Sequence, residues 1–283
     1  MNAAMDYIEA HLAERIDMAA VAGRACCSEY HFTRYFSFVA DLPLSEYIRG
    51  RRLTLAAAAL RAGAKVIDAA LQCGYESPEA FSRAFKLFHG VMPSAARDPG
   101  TALKSCPKMV FSPPVKSGGM TVRVVEREAF TVFGVYTHVS TNMEKAFEQV
   151  PRFFRQCDED LVPDEINALL GRFDDNHTIS ALFDHTETTF KYMLCNFLPP
   201  GLAVPEKFTV LRVPAATWAV FDAPDCDIQP MWRRVWAEWF PASGYETVRG
   251  PSFEMYYGLA SHGNAFGEIW IPVVPAHKIT GKR

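Results

Sequence analysis

The chain has 283 residues, 49% of them hydrophobic and 22% charged, with a formal net charge of −3. The length allows two domains, and the composition is that of a packed globular protein rather than a disordered one. No apolar run approaches the roughly 20 residues that span a bilayer, and the acidic balance gives no general affinity for nucleic acid.

Several chemistries are weak from the start. The seven cysteines (Cys26, Cys27, Cys73, Cys106, Cys157, Cys195, Cys226) are odd in number, scattered and free of C-x-x-C spacing. That pattern argues against a disulfide framework or a zinc site and for a reducing compartment. The start Met1-Asn2-Ala3-Ala4-Met5-Asp6 lacks the basic and apolar regions of a signal peptide, so a cytoplasmic location is expected. Asp174-Asp175-Asn176-His177 with His185 lacks a second His at helical spacing and reads as a polar hairpin turn. Phosphate loops, G-x-S-x-G elbows and H-E-x-x-H pairs do not occur. No catalytic residue, metal or cofactor is expected.

Along the chain, the first hundred residues balance 11 Lys/Arg against 11 Asp/Glu, so DNA affinity there must rest on placement. Arg34, Arg49, Arg51, Arg52, Arg83 and Lys86 are the candidates for a basic face. This half repeats at an offset of 49 residues. Ser28-x-x-His31-Phe32-Thr33-Arg34-Tyr35-Phe36 matches Ser77-x-x-Ala80-Phe81-Ser82-Arg83-Ala84-Phe85. Each Ser suits an N-cap, and Pro78 suits the first helical position. Phe32/Phe36 and Phe81/Phe85 are i, i+4 pairs that face a core, which leaves Thr33/Arg34 and Ser82/Arg83 off the stripe. A short Ala-rich helix precedes each: Met18-Ala19-Ala20-Val21-Ala22 and Ile67-Asp68-Ala69-Ala70-Leu71. Cys73-Gly74-Tyr75 turns the chain in the second pair, and Leu44 to Leu60 reads as a helix joining the two units. Short helix, turn and capped helix, twice over, make two helix-turn-helix units. A plain helical bundle built by duplication would share the pattern.

Residues 5–97 resemble the DNA-binding domain of the AraC/XylS family. The motifs are Ser28-Glu29-Tyr30-His31-Phe32-Thr33-Arg34-Tyr35-Phe36, Tyr47-Ile48-Arg49-Gly50-Arg51-Arg52-Leu53, the run from Ile67 to Lys86, and Gly90-Val91-Met92-Pro93-Ser94. Cys26-Cys27 stands where the family has a Gly-aromatic turn, so the first turn is expected to be built differently. The resemblance implies double-stranded DNA as a partner. Tyr30, Thr33, Arg34, Glu79, Ser82 and Arg83 are the expected DNA contacts. Arg49, Arg51 and Arg52 are phosphate neighbours or structural ion pairs. Because Tyr30 differs from Glu79 and His31 from Ala80, an asymmetric site is expected. RNA polymerase is an expected further partner, and a membrane is not.

Between Arg97 and Met120 lie four prolines and three glycines, the composition of a linker. The expected organisation is a helix-turn-helix domain over 1–98, a linker over 99–119 and a second domain over 120–276.

The second domain repeats at an offset of about 88. Thr121–Val125 with Phe130–Phe133 matches Thr209–Val213 with Trp218–Phe221, each expected as a strand pair. A helix follows each, then two strands: Leu170–Phe173 with Phe190–Asn196, and Ser252–Tyr257 with Phe266–Val273. The fold class expected is therefore multidomain: an all-α double helix-turn-helix, then an α+β pseudo-twofold repeat of β-β-α-β-β units. Residues 120–275 are similar to the GyrI-like effector-binding domain through Trp218-Ala219-Val220-Phe221, Trp236-x-x-Trp239-Phe240-Pro241-x-Ser243-Gly244-Tyr245, Gly250-Pro251-x-Phe253-Glu254-Met255-Tyr256 and Glu268-Ile269-Trp270-Ile271-Pro272-Val273. A helix-turn-helix domain followed by such a domain implies a one-component transcription regulator with a small-molecule effector.

Alternation puts Ile269 and Ile271 toward the helices, and Glu268 with Trp270 on the other face. A carboxylate beside a Trp suits a lipophilic or cationic effector, and the resemblance implies a Glu on this strand. Tyr192 holds the matching place in the first repeat, and Gly267 admits a close approach. Trp218 and Tyr256 are expected walls, in a groove that the pseudo-twofold repeat is expected to leave between two sheets. The Trp232, Trp236, Trp239 stripe reads as a buried helix face. A hydrolase or a compound-sequestering module is the alternative for this domain, since some relatives of the fold resemble hydrolases.

Overall fold

The computed structural model describes residues 1–111, 119–171, 178–257 and 266–276. The chain forms two compact units: residues 1–32 with 43–113, and residues 33–42 with 114–283.

The first unit is helical. Its elements are α1 (Asn2–Ala10), α2 (Met18–Arg24), α3 (Glu29–Ala40, whose second half is grouped with the other unit), α4 (Leu44–Arg61), α5 (Val66–Gln72) and α6 (Pro78–His89). The caps explain the boundaries. Asp17 accepts from the amides of Ala19 and Ala20 at the start of α2, Ser28 from His31 in α3, and Ser77 from Ala80 in α6. Gly90 ends α6 in the left-handed region. Phe32, Phe36, Phe81 and Phe85 are fully buried, as the i, i+4 pairing requires. In the second helix pair, Phe81 and Phe85 pack with Leu53, Leu60, Ala69 and Ala70.

The first turn does differ from the second. The offset is 49 between the starts of α3 and α6 but 48 between those of α2 and α5, so the first connection is one residue shorter. Cys26 takes the place of Gly74. The amides of Cys26 and Cys27 bond to Gly23 and Ala22, as those of Gly74 and Tyr75 bond to Leu71 and Ala70. Both residues are left-handed, with φ of 55° and 75°. A non-glycine residue pays about 1–2 kcal/mol there, and glycine's extra freedom in the unfolded chain returns roughly 0.5–1 kcal/mol of that. Cys26 is exposed, so no packing is lost on replacing it. Cys26→Gly is expected to stabilise the protein by up to about 1 kcal/mol. A lower midpoint in thermal or urea melts would refute this account of the turn.

The breaker-rich stretch is not a tether along its whole length. Cys106 donates its amide to Thr54 and accepts from Arg51, the Met109 amide bonds to the Tyr47 hydroxyl, and Asn2 exchanges two bonds with Phe111. Tyr47, Arg51 and Thr54 lie at helical spacing on α4, so one face of that helix holds the strap. Gly50 lets it pass, since a Cβ there would lie 3.2 Å from Cys106.

The second unit carries β1 (Val122–Arg127), β2 (Phe130–Ser140), α7 (Met143–Glu159), α8 (Val162–Leu170), β3 (Thr178–Phe183) and β4 (Thr189–Phe197). The second repeat follows with β5 (Thr209–Val213), β6 (Ala216–Pro224), α9 (Ile228–Arg234), a π-helical turn (Val235–Trp239), α10 (Phe240–Ser243), β7 (Tyr245–Thr247), β8 (Ser252–Tyr257) and β9 (Phe266–Pro275). One antiparallel sheet results, in the order β1-β6-β9-β8-β3-β4-β2-β5, with β7 added to β9.

Three expectations are corrected. Leu170 ends α8, so the strand expected to begin there does not; Arg172 to His177 lie outside the described residues, and the next described strand is β3 at Thr178–Phe183. The leading strands of each repeat do not pair with each other: β1 pairs with β6, and β2 with β5. Their connections, Glu128-Ala129 and Pro214-Ala215, have no positive-φ residue, so they cannot make the primed turns of a tight hairpin. Each repeat lends its first strand to the other. Finally, the repeats do not form two sheets with a groove between them, because β3 pairs with β8 and joins them.

The sheet curls. Phe130 of β2 reaches Trp218 of β6 and Phe253 of β8, with ring centroids 6.1 and 5.5 Å apart. Its inner face holds Trp218, Val220, Phe253, Met255, Met193 and Cys195. The outer face is covered by helices, with Leu194 and Phe133 packed against Cys157, Val162 and Ile166 of α7 and α8.

Candidate functional site

On the helical unit, Glu79 and Arg83 of α6 are exposed and Ser82 is half-buried. Phe81 and Phe85 anchor the opposite side of the helix, and that is what turns these three outward. Tyr30, Thr33 and Arg34 of α3 are half-buried, and the Arg34 guanidinium lies 5.0 Å over the ring of Phe38 one turn on. Of Arg49, Arg51 and Arg52 on α4, two are structural. Arg51 forks onto the Glu9 carboxylate at 2.7 and 2.8 Å, and Arg52 caps the carbonyls of Leu12 and Glu14. Arg49 is exposed.

In the second unit the expected effector residues do not share one face. Glu268, Trp270 and Trp218 lie on the inner face, whereas Tyr192 and Tyr256 lie on the helix-covered one. Trp218 is 1% exposed and packs on Phe253 and Trp270 as core. Glu268 is already bonded by Trp270 Nε1 at 2.7 Å, by the Tyr257 hydroxyl at 3.0 Å and by Arg123. Gly267 does permit a close approach, but of Ile228 from α9: a Cβ on Gly267 would lie 2.8 Å from its Cδ1.

The residue that Tyr192 and Tyr256 converge on is Glu254. The five residue pairs of β3 and β8 run from Thr178 opposite Tyr256 to Leu182 opposite Ser252, and Ser180 opposite Glu254 is the middle one. Glu254 thus stands where the two repeats meet, on the face that α7 and α9 cover. One carboxylate oxygen accepts from the hydroxyls of Tyr192 at 2.6 Å and Tyr256 at 2.9 Å; the other accepts from Trp232 Nε1 at 2.7 Å. A carboxylate accepts about four such bonds, so one position remains. Burial pushes the Glu254 carboxyl above its ordinary range, against the opposing pull of the three donors. Burial likewise raises the Tyr192 and Tyr256 hydroxyls well above the usual phenol range and keeps them protonated as donors.

The walls that α7, α9 and the sheet contribute are largely apolar, while the second half of α3 adds Thr33, Arg34, Ser37 and Phe38 and the β3–β4 turn adds His185 and Thr186. Ala146, Phe147 and Val150 of α7, Leu182 and Phe190 of the sheet and Ile228 of α9 line the cavity around Glu254. Phe153 and Phe154 of α7 meet the Tyr192 ring edge-on at 6.3 and 5.9 Å. A buried carboxylate with one open acceptor position beside largely apolar walls can hold a lipophilic cation.

Sequence reasoning quoted Glu254 inside a motif but singled out Glu268. The signal was available: Glu254 is the only charged residue of β8 and alternates with Ser252 and Tyr256. Trp232 does belong to a buried helix face, at 4% exposure, but it also carries a bond to the carboxylate.

Residues 123–273 match the family model described as integron-associated effector binding protein, which covers more than half of the chain, and residues 21–98 match a helix-turn-helix domain model. The chain is similar to the transcriptional regulator Rob of Salmonella typhimurium (strain LT2), 32% identical over 145 residues, 49% of this chain and 48% of that one. It is also similar to the HTH-type transcriptional activator AarP of Providencia stuartii, 35% identical over 92 residues, 32% of this chain and 68% of that one. It spans about half the length of Rob. Among solved structures, SAV2435 bound to tetraphenylphosphonium aligns with a TM-score of 0.45 and 19% identity, over 55% of this chain and 94% of that one.

Proposed function

The chain belongs to the AraC/XylS family, with an effector-binding domain of the integron-associated, GyrI-like kind, and from that premise we propose that it is a one-component transcription regulator answering to a lipophilic cation. The observation that carries the effector half is the buried Glu254 carboxylate, held by Tyr192, Tyr256 and Trp232 with one acceptor position open. The domain binds without turning its ligand over, since Glu254 serves as a counter-charge fixed by three donors. RNA polymerase is the partner at the promoter, and the cytoplasm is the place of action. Among the described residues no helix is long and apolar enough to cross a membrane.

For DNA, Arg83 is the leading reader, with Glu79 and Ser82 beside it; Arg34, Thr33 and Tyr30 serve the first helix pair. An arginine fork on a guanine is worth about 1–3 kcal/mol of discrimination. Arg83→Ala is expected to weaken operator binding by roughly 5- to 150-fold and to relax preference at one base pair, whereas Arg51→Ala should act on stability first. Selection of bound sequences by wild type and both variants tests this. Unchanged affinity and base preference in Arg83→Ala, together with unchanged affinity in Arg34→Ala, would refute the DNA reading. In the same assay a lipophilic cation should shift operator affinity or promoter output, and it should be recovered chemically intact. A cleaved ligand would favour the hydrolase reading.

A further inference from the structure

Glu268 was expected to meet an external ligand; its surroundings show that the chain supplies a ligand of its own. The Glu268 carboxylate is the fixed half of the cluster. Trp270 Nε1 and the Tyr257 hydroxyl donate to it, and only 8% of its side chain is exposed. Asp222, its neighbour across the β6–β9 pair, stands beside it. Arg123 is the movable half. Its guanidinium bonds to Asp222 at 2.8 Å and to Glu268, while 44% of its side chain faces solvent.

Around Glu254 a Trp N–H and two Tyr hydroxyls present a buried carboxylate. Around Glu268 a Trp N–H and a Tyr hydroxyl do the same on the other face of the adjacent strand. The difference is that the cation position at Glu268 is taken by Arg123, carried on β1. Among the described residues that strand stands at the end of the sheet and pairs only with β6. Three side chains hold its inner face: Arg123 on the carboxylates, Val125 on the core cluster, and Arg127 over the rings of Phe130, Phe197 and Trp270 at 4.6, 4.7 and 5.3 Å.

We propose that the Glu268–Asp222–Tyr257–Trp270 cluster is a second cation site, closed in this state by Arg123, that takes aryl-substituted guanidinium ligands by displacing the Arg123 side chain and thereby unpins strand β1. A guanidinium is called for because two carboxylates flank a planar fork, a geometry an ammonium matches poorly. The aryl group is called for because Trp270 and Tyr257 border the site, and Tyr257 already packs on Phe266 at 6.0 Å. A tethered competitor acts at an effective concentration of the order of millimolar, so a ligand wins only with such added contact. The strand it releases is the first strand of the second unit.

The test uses the full chain with benzylguanidinium as probe, followed by titration and by hydrogen exchange of residues 122–127. In wild type the probe should speed exchange of those amides severalfold. Arg123→Ala removes the competitor and should bind the probe at least tenfold more tightly, with a rise in melting temperature that an equal concentration of benzylammonium does not give. Arg123→Met keeps the stem and serves if the alanine variant is poorly folded. Glu268→Gln should lose both responses, whereas Glu254→Gln should keep them. Binding no tighter in either Arg123 variant than in wild type overturns the proposal. So does a β1 response that survives Glu268→Gln or disappears with Glu254→Gln, which would assign the probe to the Glu254 cavity.

Discussion

Gly134→Ala is expected to cost about 3 kcal/mol or more, the upper end of what overpacking does. Gly134 sits in the middle of β2, paired with Cys195 of β4 on one side and Thr209 of β5 on the other. A Cβ there would lie 1.9 Å from the Leu194 carbonyl oxygen and 2.7 Å from the Cys195 Cα. Those atoms are backbone, so no side chain can move aside. The methyl must push two paired strands apart at a point where β2 ties the first repeat to the strand lent by the second. A domain of this size loses roughly 2–4 °C for each kcal/mol, so the melting temperature should fall by around 6–12 °C or the variant should fail to accumulate. Gly250→Ala is the control: its Cβ would meet only Pro272 Cγ at 3.5 Å, an ordinary contact, and its midpoint should stay within a degree or two. A Gly134→Ala protein that melts with the wild type would mean that β2 does not pass β4 in this way.

Nothing in the sequence marks Gly134 as different from other glycines, and the reason separates what can be read along a chain from what cannot. The helix-turn-helix pairs were legible because each signal is local. Ser28 and Ser77 cap within three residues, the phenylalanine pairs are one turn apart, and Gly74 announces its own backbone. Even the altered first turn was visible in Cys26-Cys27, although its geometry, a left-handed cysteine and a connection shortened by one residue, was not. The sheet depends on partners far along the chain. Thr121–Val125 and Phe130–Phe133 look like two arms of a hairpin, and only the absence of turn chemistry at Glu128-Ala129 hints that β1 crosses to β6 instead. The strand at Thr178–Phe183 was displaced for a similar reason: Leu169 and Leu170 look as apolar as a strand, but they close the buried face of α8.

The site was half legible for a geometric reason. Alternation assigned Ile269 and Ile271 to the helix side correctly, and Glu268 to the other. It could not tell which face encloses a cavity. Glu254 and Glu268 lie one register step apart on paired strands, each with a Trp and a Tyr donor, so sequence pattern treats them alike. Chain crossings separate them: β1 brings Arg123 to Glu268, and α9 brings Trp232 to Glu254.

Glu254→Gln is expected to reduce the affinity for a lipophilic monocation at least tenfold, about 1.4 kcal/mol, while a neutral aromatic compound of the same shape loses less than about twofold. The two compounds separate charge from packing because glutamine keeps the size of the side chain. The pH dependence is a sharper test. Burial raises the Glu254 carboxyl above its ordinary value of 4.5, against the donors Tyr192, Trp232 and Tyr256, so the folded, unliganded protein holds a proton there over a range where the unfolded chain has lost it. In that window the native state binds more protons than the unfolded one, and stability therefore falls as pH rises through it. A cation beside the carboxylate favours the ionised form. Its binding should then release a proton at the low end of the window, and its affinity should increase with pH until Glu254 is ionised without it. Calorimetry in two buffers of different ionisation enthalpy, across that range, measures both quantities. In Glu254→Gln the proton release and the pH slope of cation affinity should vanish, and the variant should be more stable than wild type above the window, because no buried charge has to form. Cation affinity that is flat with pH in the wild type, or equally steep in both proteins, would remove Glu254 as the counter-charge.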